Sequence, residues 1–152
     1  MKGLCKLVGL VLALSLLLVG CGGAKVDVVK LADDLSGKLT FQDELSPIDE
    51  TALYAIYDID PSKVKAQRVY VSSGATAEEI AAFEAADAAA AKDIHAAVLQ
   101  RIADQKDGFA NYNPGEMVKL EHPTVVTKGN YVVLCLSDDP AMALSEIQSL
   151  LK

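Results

Sequence analysis

Cysteine and histidine are scarce in this sequence, with three cysteines and two histidines among 152 residues. These side chains supply most zinc ligands and many of the nucleophile–base pairs of hydrolytic sites. His95 falls in a predicted helix and His122 precedes a proline, and neither accompanies a nucleophile-elbow pattern. Glycine-rich phosphate loops of the G-x-G-x-x-G and P-loop types do not occur either. The sequence therefore predicts no catalytic residue, no metal site and no cofactor.

Basic residues are outnumbered by acidic ones. Fourteen lysines and arginines face 21 aspartates and glutamates, which gives a formal net charge of −7 at pH 7. Nucleic acids and anionic lipid headgroups are bound through basic surfaces. The charge balance therefore argues against nucleic acid as a partner, and the acidity is interpreted as an aid to solubility.

The N-terminal apolar run is too short for a membrane span. Residues 7–20 carry no charge and follow a start that contains Lys2 and Lys6. A spanning helix needs about 20 apolar residues, whereas a basic start before a short apolar run is typical of a secretory signal peptide. We predict that residues 1–20 are such a signal.

Four residues at the end of this run, Leu18-Val19-Gly20-Cys21, resemble the bacterial lipobox. In proteins with that motif the signal is cut before the cysteine, and the cysteine carries diacylglycerol and an acylated amino terminus. Two or three acyl chains anchor a protein durably. We therefore expect lipid on Cys21 to hold the protein at the extracytoplasmic face of a cell membrane. Residues 21–25 would then be a tether that reaches ~15 Å when fully extended.

Cleavage before Cys21 would leave 132 residues, which suits one domain over residues 26–152 with its own hydrophobic core. Loss of Lys2 and Lys6 lowers the basic count from 14 to 12 while the acidic count stays at 21, so the net charge becomes −9. With Cys5 removed and Cys21 lipidated, Cys135 has no partner. No disulfide is expected within the mature chain.

Two helices are predicted before the first strand. Apolar residues at 28, 31, 32 and 35 form a helical stripe within residues 26–35. Further on, Ser46 is a suitable N-cap with Pro47 at the first helical position. Asp60-Pro61-Ser62 predicts a turn that ends this second helix.

A first β-hairpin and a long helix are predicted to follow. Residues 68–72 alternate and are rich in β-forming residues, and residues 79–84 are the expected partner strand. The capping-box pattern at residues 76–79 allows an alternative, one helix of about thirty residues. In the hairpin interpretation, Asp87 caps a helix that runs from Ala88 to about Lys106.

A second hairpin and helix complete the predicted fold. Residues 124–127 and 131–136 flank Lys128-Gly129-Asn130, a strong hairpin pattern. Asp139 is placed to cap a last helix that runs to Leu151. We therefore expect an α+β fold in which two hairpins, each followed by a helix, form a four-stranded antiparallel sheet. Helices pack on this sheet, and two N-terminal helices precede it.

Several segments of the chain look like a lipoprotein family called domain of unknown function 4358. The segments are residues 74–80, Phe83-Glu84-Ala85, Arg101-Ile102 with Gln105, Tyr112-Asn113-Pro114 with Glu116, and residues 128–134. The resemblance covers most of residues 30–150. It implies a lipobox-bearing protein of the envelope of Gram-positive bacteria, and it implies no particular activity or catalytic residue.

Two functional classes follow from these features. A non-catalytic module that binds an envelope protein or wall component needs only a suitable surface, whereas an enzyme needs converging polar groups. We favour the binding module, and the alternatives are an extracytoplasmic enzyme of hydrolase type and a receptor for small solutes. Tyr112 and Asn113, at a break after the long helix, are the candidate contact residues, although Tyr112 packing against the helix end is an alternative.

The acidic pairs of the sequence receive a simpler interpretation. Glu78-Glu79 and Asp138-Asp139 are two of them, and both precede segments with helix-start or strand patterns. Carboxylates are favourable at solvated faces and at helix N-termini. We therefore expect these pairs to be exposed to solvent.

Overall fold

The computed structural model describes residues 25–152, so the predicted signal peptide at residues 1–20 and the predicted lipid site at Cys21 lie outside the described residues. The elements are α1 (Val28–Lys38), β1 (Ser46–Pro47), α2 (Glu50–Ile56), β2 (Val64–Val71), β3 (Glu79–Ala85), α3 (Ala88–Tyr112), α4 (Met117–Glu121), β4 (Thr124–Lys128), β5 (Tyr131–Leu136) and α5 (Pro140–Leu150). Short 3₁₀ turns at Pro61–Lys63 and Pro114–Glu116 precede β2 and α4. No helix in this part of the chain is both long enough and apolar enough to cross a membrane.

The five strands form one antiparallel sheet in the order β1-β2-β3-β5-β4. The two hairpins, β2–β3 and β4–β5, meet where β3 pairs with β5, and Glu79 lies opposite Leu136 at one end of that pairing. Helices cover both faces, which explains why β5 is an unbroken apolar run whose residues 132–136 are fully buried. The predicted α+β class and the two hairpin–helix units are confirmed.

One face of the sheet is closed by α1 and α5. Its core contains the predicted stripe of α1 together with Ile80 and Ala82 of β3 and Cys135 of β5. The opposite face is covered by α2, α3 and α4, and its core contains Leu53, Ile94 and Phe83. Because side chains alternate along a strand, residues 79, 81, 83 and 85 of β3 face α3 while residues 80 and 82 face α1.

Helices α3 and α5 begin, and the β4–β5 hairpin turns, at the residues that the sequence predicts. The carboxylates of Asp87 and Asp139 accept hydrogen bonds from the Ala90 and Met142 amides at 2.8 and 2.9 Å. Gly129 occupies the β4–β5 turn with φ +57°, a left-handed conformation that favours glycine. Residues 79–85 are strand rather than the start of one long helix, and α3 continues six residues past the predicted end at Lys106.

The sheet has a fifth strand, so the four-stranded prediction was wrong in this detail. Ser46 and Pro47, expected at a helix start, instead pair with Val71 and Tyr70. The chain stays extended because the Ile48 amide donates to the Val69 carbonyl at 3.0 Å. The second helix therefore begins at Glu50, with Asp49 as its cap.

Candidate functional site

A cleft of about 550 Å³ opens at the end of the sheet where β3 begins. It lies between α2, the loop that joins β2 to β3, and the C-terminal half of α3. Its apolar walls are formed by Ile48, Ala52, Ile56, Val71, Phe109 and Tyr112. A volume of this size falls in the range of pockets that hold a small molecule or a few residues of a peptide.

A buried carboxylate, Glu79, forms the polar floor of this cleft. Only 1% of its side chain is exposed. Arg101 donates to it from Nη2 at 2.8 Å and from Nε at 3.2 Å, and Gln105 donates from Nε2 at 2.7 Å. The hydroxyl of Tyr57 is a fourth donor. The charge of Glu79 is therefore neutralised by the Arg101 guanidinium. Its oxygens accept hydrogen bonds from three residues, Arg101, Gln105 and Tyr57.

Two separate helices bring these donors to Glu79 on β3. Arg101 and Gln105 lie four residues apart on α3, so they project from one face of the helix. Tyr57 follows the last residue of α2 and packs its ring edge-on against Phe83 of β3, with 5.4 Å between ring centroids. Any change at Glu79 therefore affects α2, α3 and the sheet together.

The surroundings shift the pKa values of both protonated partners of Glu79. Burial and the adjacent Glu79 charge raise the pKa of the Tyr57 hydroxyl well above its ordinary value. Burial would lower the pKa of Arg101, but the charge and hydrogen bonds of Glu79 outweigh it and raise that pKa. Tyr57 therefore stays neutral and Arg101 stays charged across the physiological range.

The neighbouring carboxylate, Glu78, holds a second buried network behind the cleft. It accepts hydrogen bonds from the Gln42 and Asp43 amides at 2.9 Å and lies 3.5 Å from the Lys119 ammonium. Lys119 also donates to Glu116 at 2.9 Å, and Glu116 accepts from the Ala77 amide at 2.8 Å. These bonds fix the loop before β3 against α4 and the 40–44 loop.

Lys119 remains charged in this network. Burial would lower the pKa of its ammonium, but the hydrogen bond to Glu116 and the charges of Glu78, Glu116 and Asp138 together raise it.

The prediction that Glu78-Glu79 is exposed was wrong, because both side chains are buried. Strand alternation was the available signal, because it places Glu79 on the α3 face with Ala81 and Phe83.

The candidate contact residues lie at the mouth of the cleft. Tyr112 is 70% exposed, and its ring centroid is 5.9 Å from that of Phe109. Asn113 donates from Nδ2 to the Ala75 carbonyl of the β2–β3 loop at 3.3 Å. Tyr112 lines the cleft and Asn113 ties the end of α3 to the β2–β3 loop, and the role of both residues in contact stays a prediction.

One acidic side chain of the cleft, Asp104, forms no ion pair in the described part of the chain, and its charge acts on the nearby Arg101 that Glu79 already pairs with. Asp104 is exposed on α3 and accepts only a neutral hydrogen bond, from Gln100 at 2.8 Å. A second carboxylate, Asp43, accepts from the hydroxyl and amide of Ser73 on the rim. These bonds, the hydroxyl contact first, lower the pKa of Asp43. Because Arg101 is paired with Glu79, the cleft as a whole is negatively charged.

The serine and threonine hydroxyls that line the cleft form hydrogen bonds within the protein. Ser72 donates to the Thr76 carbonyl at 2.6 Å, and Ser73 donates to Asp43.

The two histidines lie away from the cleft. His95 contacts Thr127 at 2.9 Å, and His122 lines a separate recess beside α5. Within residues 25–152, no three His, Cys, Asp or Glu side chains form a group that could hold a metal ion. What the arrangement offers chemically is a fixed set of charges and apolar walls.

Comparison with known proteins gives a match to a protein family. The family described as Domain of unknown function (DUF4358) matches residues 38–137, which include β1 to β5 and the buried carboxylates Glu78 and Glu79. No curated protein and no solved structure matches the chain.

Proposed function

The chain belongs to the DUF4358 family, and from that premise and the geometry of the cleft we propose that it is a binding module of the cell envelope. In this proposal, lipid on Cys21 tethers the domain to the extracytoplasmic face of a membrane. The cleft between α2 and α3 accepts a positively charged, partly apolar segment of a partner protein. The single observation that carries the proposal is the apolar-walled cleft built over the buried Glu79 network.

The buried network supports a binding role because it holds the cleft in one shape. Breaking a buried ion pair is costly, so the Glu79–Arg101 pair holds α3 against β3 without a ligand, and Tyr57 adds the end of α2 to the same carboxylate. A preformed site loses less conformational entropy when it binds. The tether supports the same role, since a high local concentration lets a module of modest affinity work.

Charge complementarity selects the class of ligand. Arg101 is neutralised by Glu79, which leaves Asp104 and the rim carboxylate Asp43 as the charges that a ligand meets. The exposed ring of Tyr112 stands on the same cleft. A carboxylate and an aromatic face together favour an ammonium or guanidinium group on an apolar stem. A lysine or arginine side chain of a partner protein has this chemistry.

A cleft-filling substitution tests the proposal. Gly108 lines the cleft, and a Cβ added there meets no atom within 4 Å, so a side chain can start at this position and Gly108→Trp adds an indole at the cleft. Gly37→Trp is the matched control, because Gly37 is also a helical glycine with no atom within 4 Å and lies on α1, across the sheet. The probe is a fluorescent Lys-Leu-Lys-Leu-Lys peptide, measured by anisotropy with residues 22–152.

We expect the wild type and Gly37→Trp to bind the peptide equally, and Gly108→Trp to bind it at least about tenfold more weakly. A Glu-Leu-Glu-Leu-Glu peptide should bind much more weakly than the basic one, and added salt should weaken the basic peptide. Equal binding by Gly108→Trp and the wild type would refute the cleft as the site. Turnover of a wall, peptide or ester substrate, abolished by one polar substitution in the cleft, would instead establish an enzyme.

A further inference from the structure

We propose that the domain stands on the membrane with its cleft facing outward, so that the cleft meets basic protein segments arriving from the side opposite the bilayer and lipid headgroups do not reach it. This inference rests on the lipid tether of the proposed function. It is carried by two features of the fold: the positions of the tether and the cleft at opposite ends of the sheet, and the different charges of those ends.

The tether enters the domain at the β4–β5 turn. The Val26 amide donates to the Tyr131 hydroxyl at 3.0 Å, and Tyr131 is the first residue of β5. At the same end the Ala85 amide, at the close of β3, donates to the Asn130 carbonyl at 2.7 Å. Lys128 also donates to the Leu151 carbonyl beyond α5. We call this the tether end.

The cleft lies at the opposite end of the same strands. Glu79 begins β3 and pairs with Leu136, the last residue of β5. Helix α3 starts just after β3 closes at the tether end and finishes at Tyr112 on the cleft. Its 25 residues span about 37 Å. A tether of ~15 Å therefore brings one end of α3 to the bilayer surface while the other end remains far from it.

The cleft end and the tether end also differ in charge, and this difference favours the same orientation. The segments that meet at the cleft end, residues 40–45, 72–78, 113–123 and 137–139, contain seven acidic residues and one basic residue. The segments at the tether end, residues 25–27, 60–63, 86–87, 128–130 and 151–152, contain four basic and three acidic residues. The first set therefore has a net charge of −6 and the second a net charge of +1, so a membrane with anionic lipids repels the first set and not the second. Geometry and charge thus favour the same orientation.

This orientation defines the partner by its direction of approach. Anionic headgroups are excluded from the cleft by distance and by charge, whereas basic segments of proteins outside the membrane meet an acidic surface that attracts them. The tether then confines the outward-facing cleft to a thin layer above the bilayer.

Energy transfer to the membrane surface tests the orientation with the full lipidated chain in liposomes. A donor dye is attached at Val118→Cys on the cleft end or at Lys152→Cys on the tether end, and the acceptor is a headgroup-labelled lipid. Val118 is 65% exposed. Cys135 is 1% exposed and does not compete for the dye in the folded protein.

We expect clearly stronger transfer from position 152 than from position 118, and no transfer from either position in the same variants of residues 22–152, which lack the lipidated cysteine. Equal transfer, or stronger transfer from position 118, would overturn the inference. If transfer is reversed while Gly108→Trp still loses the basic peptide, the orientation fails and the proposed function stands. Transfer that persists in residues 22–152 would overturn the tether and the orientation with it.

Discussion

The two faces of the sheet bury different kinds of side chains. The face under α1 and α5 is closed by aliphatic side chains and the Cys135 thiol. The face under α2 and α3 also buries Glu79 and Gln105, and it remains open as a cleft at one end. Apolar side chains of similar volume often stabilise a fold as well as a buried ion pair does. The first face is closed without buried charges, whereas the second buries a charged pair beside an open cleft, and in the proposed function this second face is the one that binds.

The largest expected effect is a loss of stability, without a loss of peptide binding, when the closed face under α1 and α5 is changed. Leu35 of α1 is fully buried there. Leu35→Ala should lower the free energy of unfolding by about 3–5 kcal/mol because it leaves a cavity. Urea unfolding followed by circular dichroism measures this loss. Under conditions where the variant is folded, its affinity for the basic peptide should equal that of the wild type, and a weakened affinity would break the division between the two faces.

A polar substitution on the open face, the one under α2 and α3, should affect both the stability of the protein and its binding of the basic peptide. Glu79→Gln leaves the Arg101 charge without its partner, and the expected loss of stability is about 3 kcal/mol, near the lower limit for buried pairs because 21% of the Arg101 side chain is exposed. The freed positive charge should also weaken binding of the basic peptide several-fold. Glu84→Gln, on the same strand, is the matched control and should change stability by less than about 0.5 kcal/mol.

A double substitution checks the origin of that loss. Glu79→Gln combined with Arg101→Met removes both charges, so it should recover part of the stability that Glu79→Gln loses. If the double variant is as unstable as the sum of the single variants, the pair is not coupled and the account of the cleft floor is wrong.

The Cys135 thiol gives the closed face a pH dependence. Burial raises the pKa of Cys135 from 9.0 to about 12. The unfolded chain therefore loses this proton near pH 9 while the folded chain keeps it, and stability must fall as the pH rises between these values. Relative to Cys135→Ala, the wild type should lose about 1 kcal/mol between pH 7 and pH 10. Parallel pH profiles of the two proteins in urea titrations would contradict the burial of the thiol.

The smallest effect concerns the helix that carries the open face. Gly108 lies in the exposed part of α3, and Gly108→Ala should stabilise the protein by up to about 1 kcal/mol. A single methyl group should leave peptide binding intact, in contrast to Gly108→Trp. Thermal unfolding measures the gain, and lost binding in Gly108→Ala would mean that the glycine itself, rather than the space above it, is required.

Local chemistry made much of the fold predictable from the sequence. The caps Asp87 and Asp139 and the turn at Gly129 depend on neighbouring residues, so short-range patterns were sufficient to place them. The apolar run of β5 likewise predicted a strand that is covered on both faces.

Long-range contacts explain what the sequence did not predict. Strand β1 exists only because β2 pairs with it, and its Ser46-Pro47 is locally a good helix start. Glu79 meets Tyr57 and Arg101, each 22 residues away, and Glu116 meets the Ala77 amide across 39 residues. No local pattern distinguishes a carboxylate with such distant partners from an exposed one.

The most direct test of the binding cleft maps the basic peptide on the protein by nuclear magnetic resonance. Backbone amide shifts of isotope-labelled residues 22–152 are followed during titration with the Lys-Leu-Lys-Leu-Lys peptide. We predict that the largest shifts occur at Arg101, Asp104, Phe109 and Tyr112 and that residues of α1 and α5 remain unchanged. Shifts concentrated on α1 and α5, or spread evenly over the acidic surface, would contradict the assignment of the cleft as the binding site.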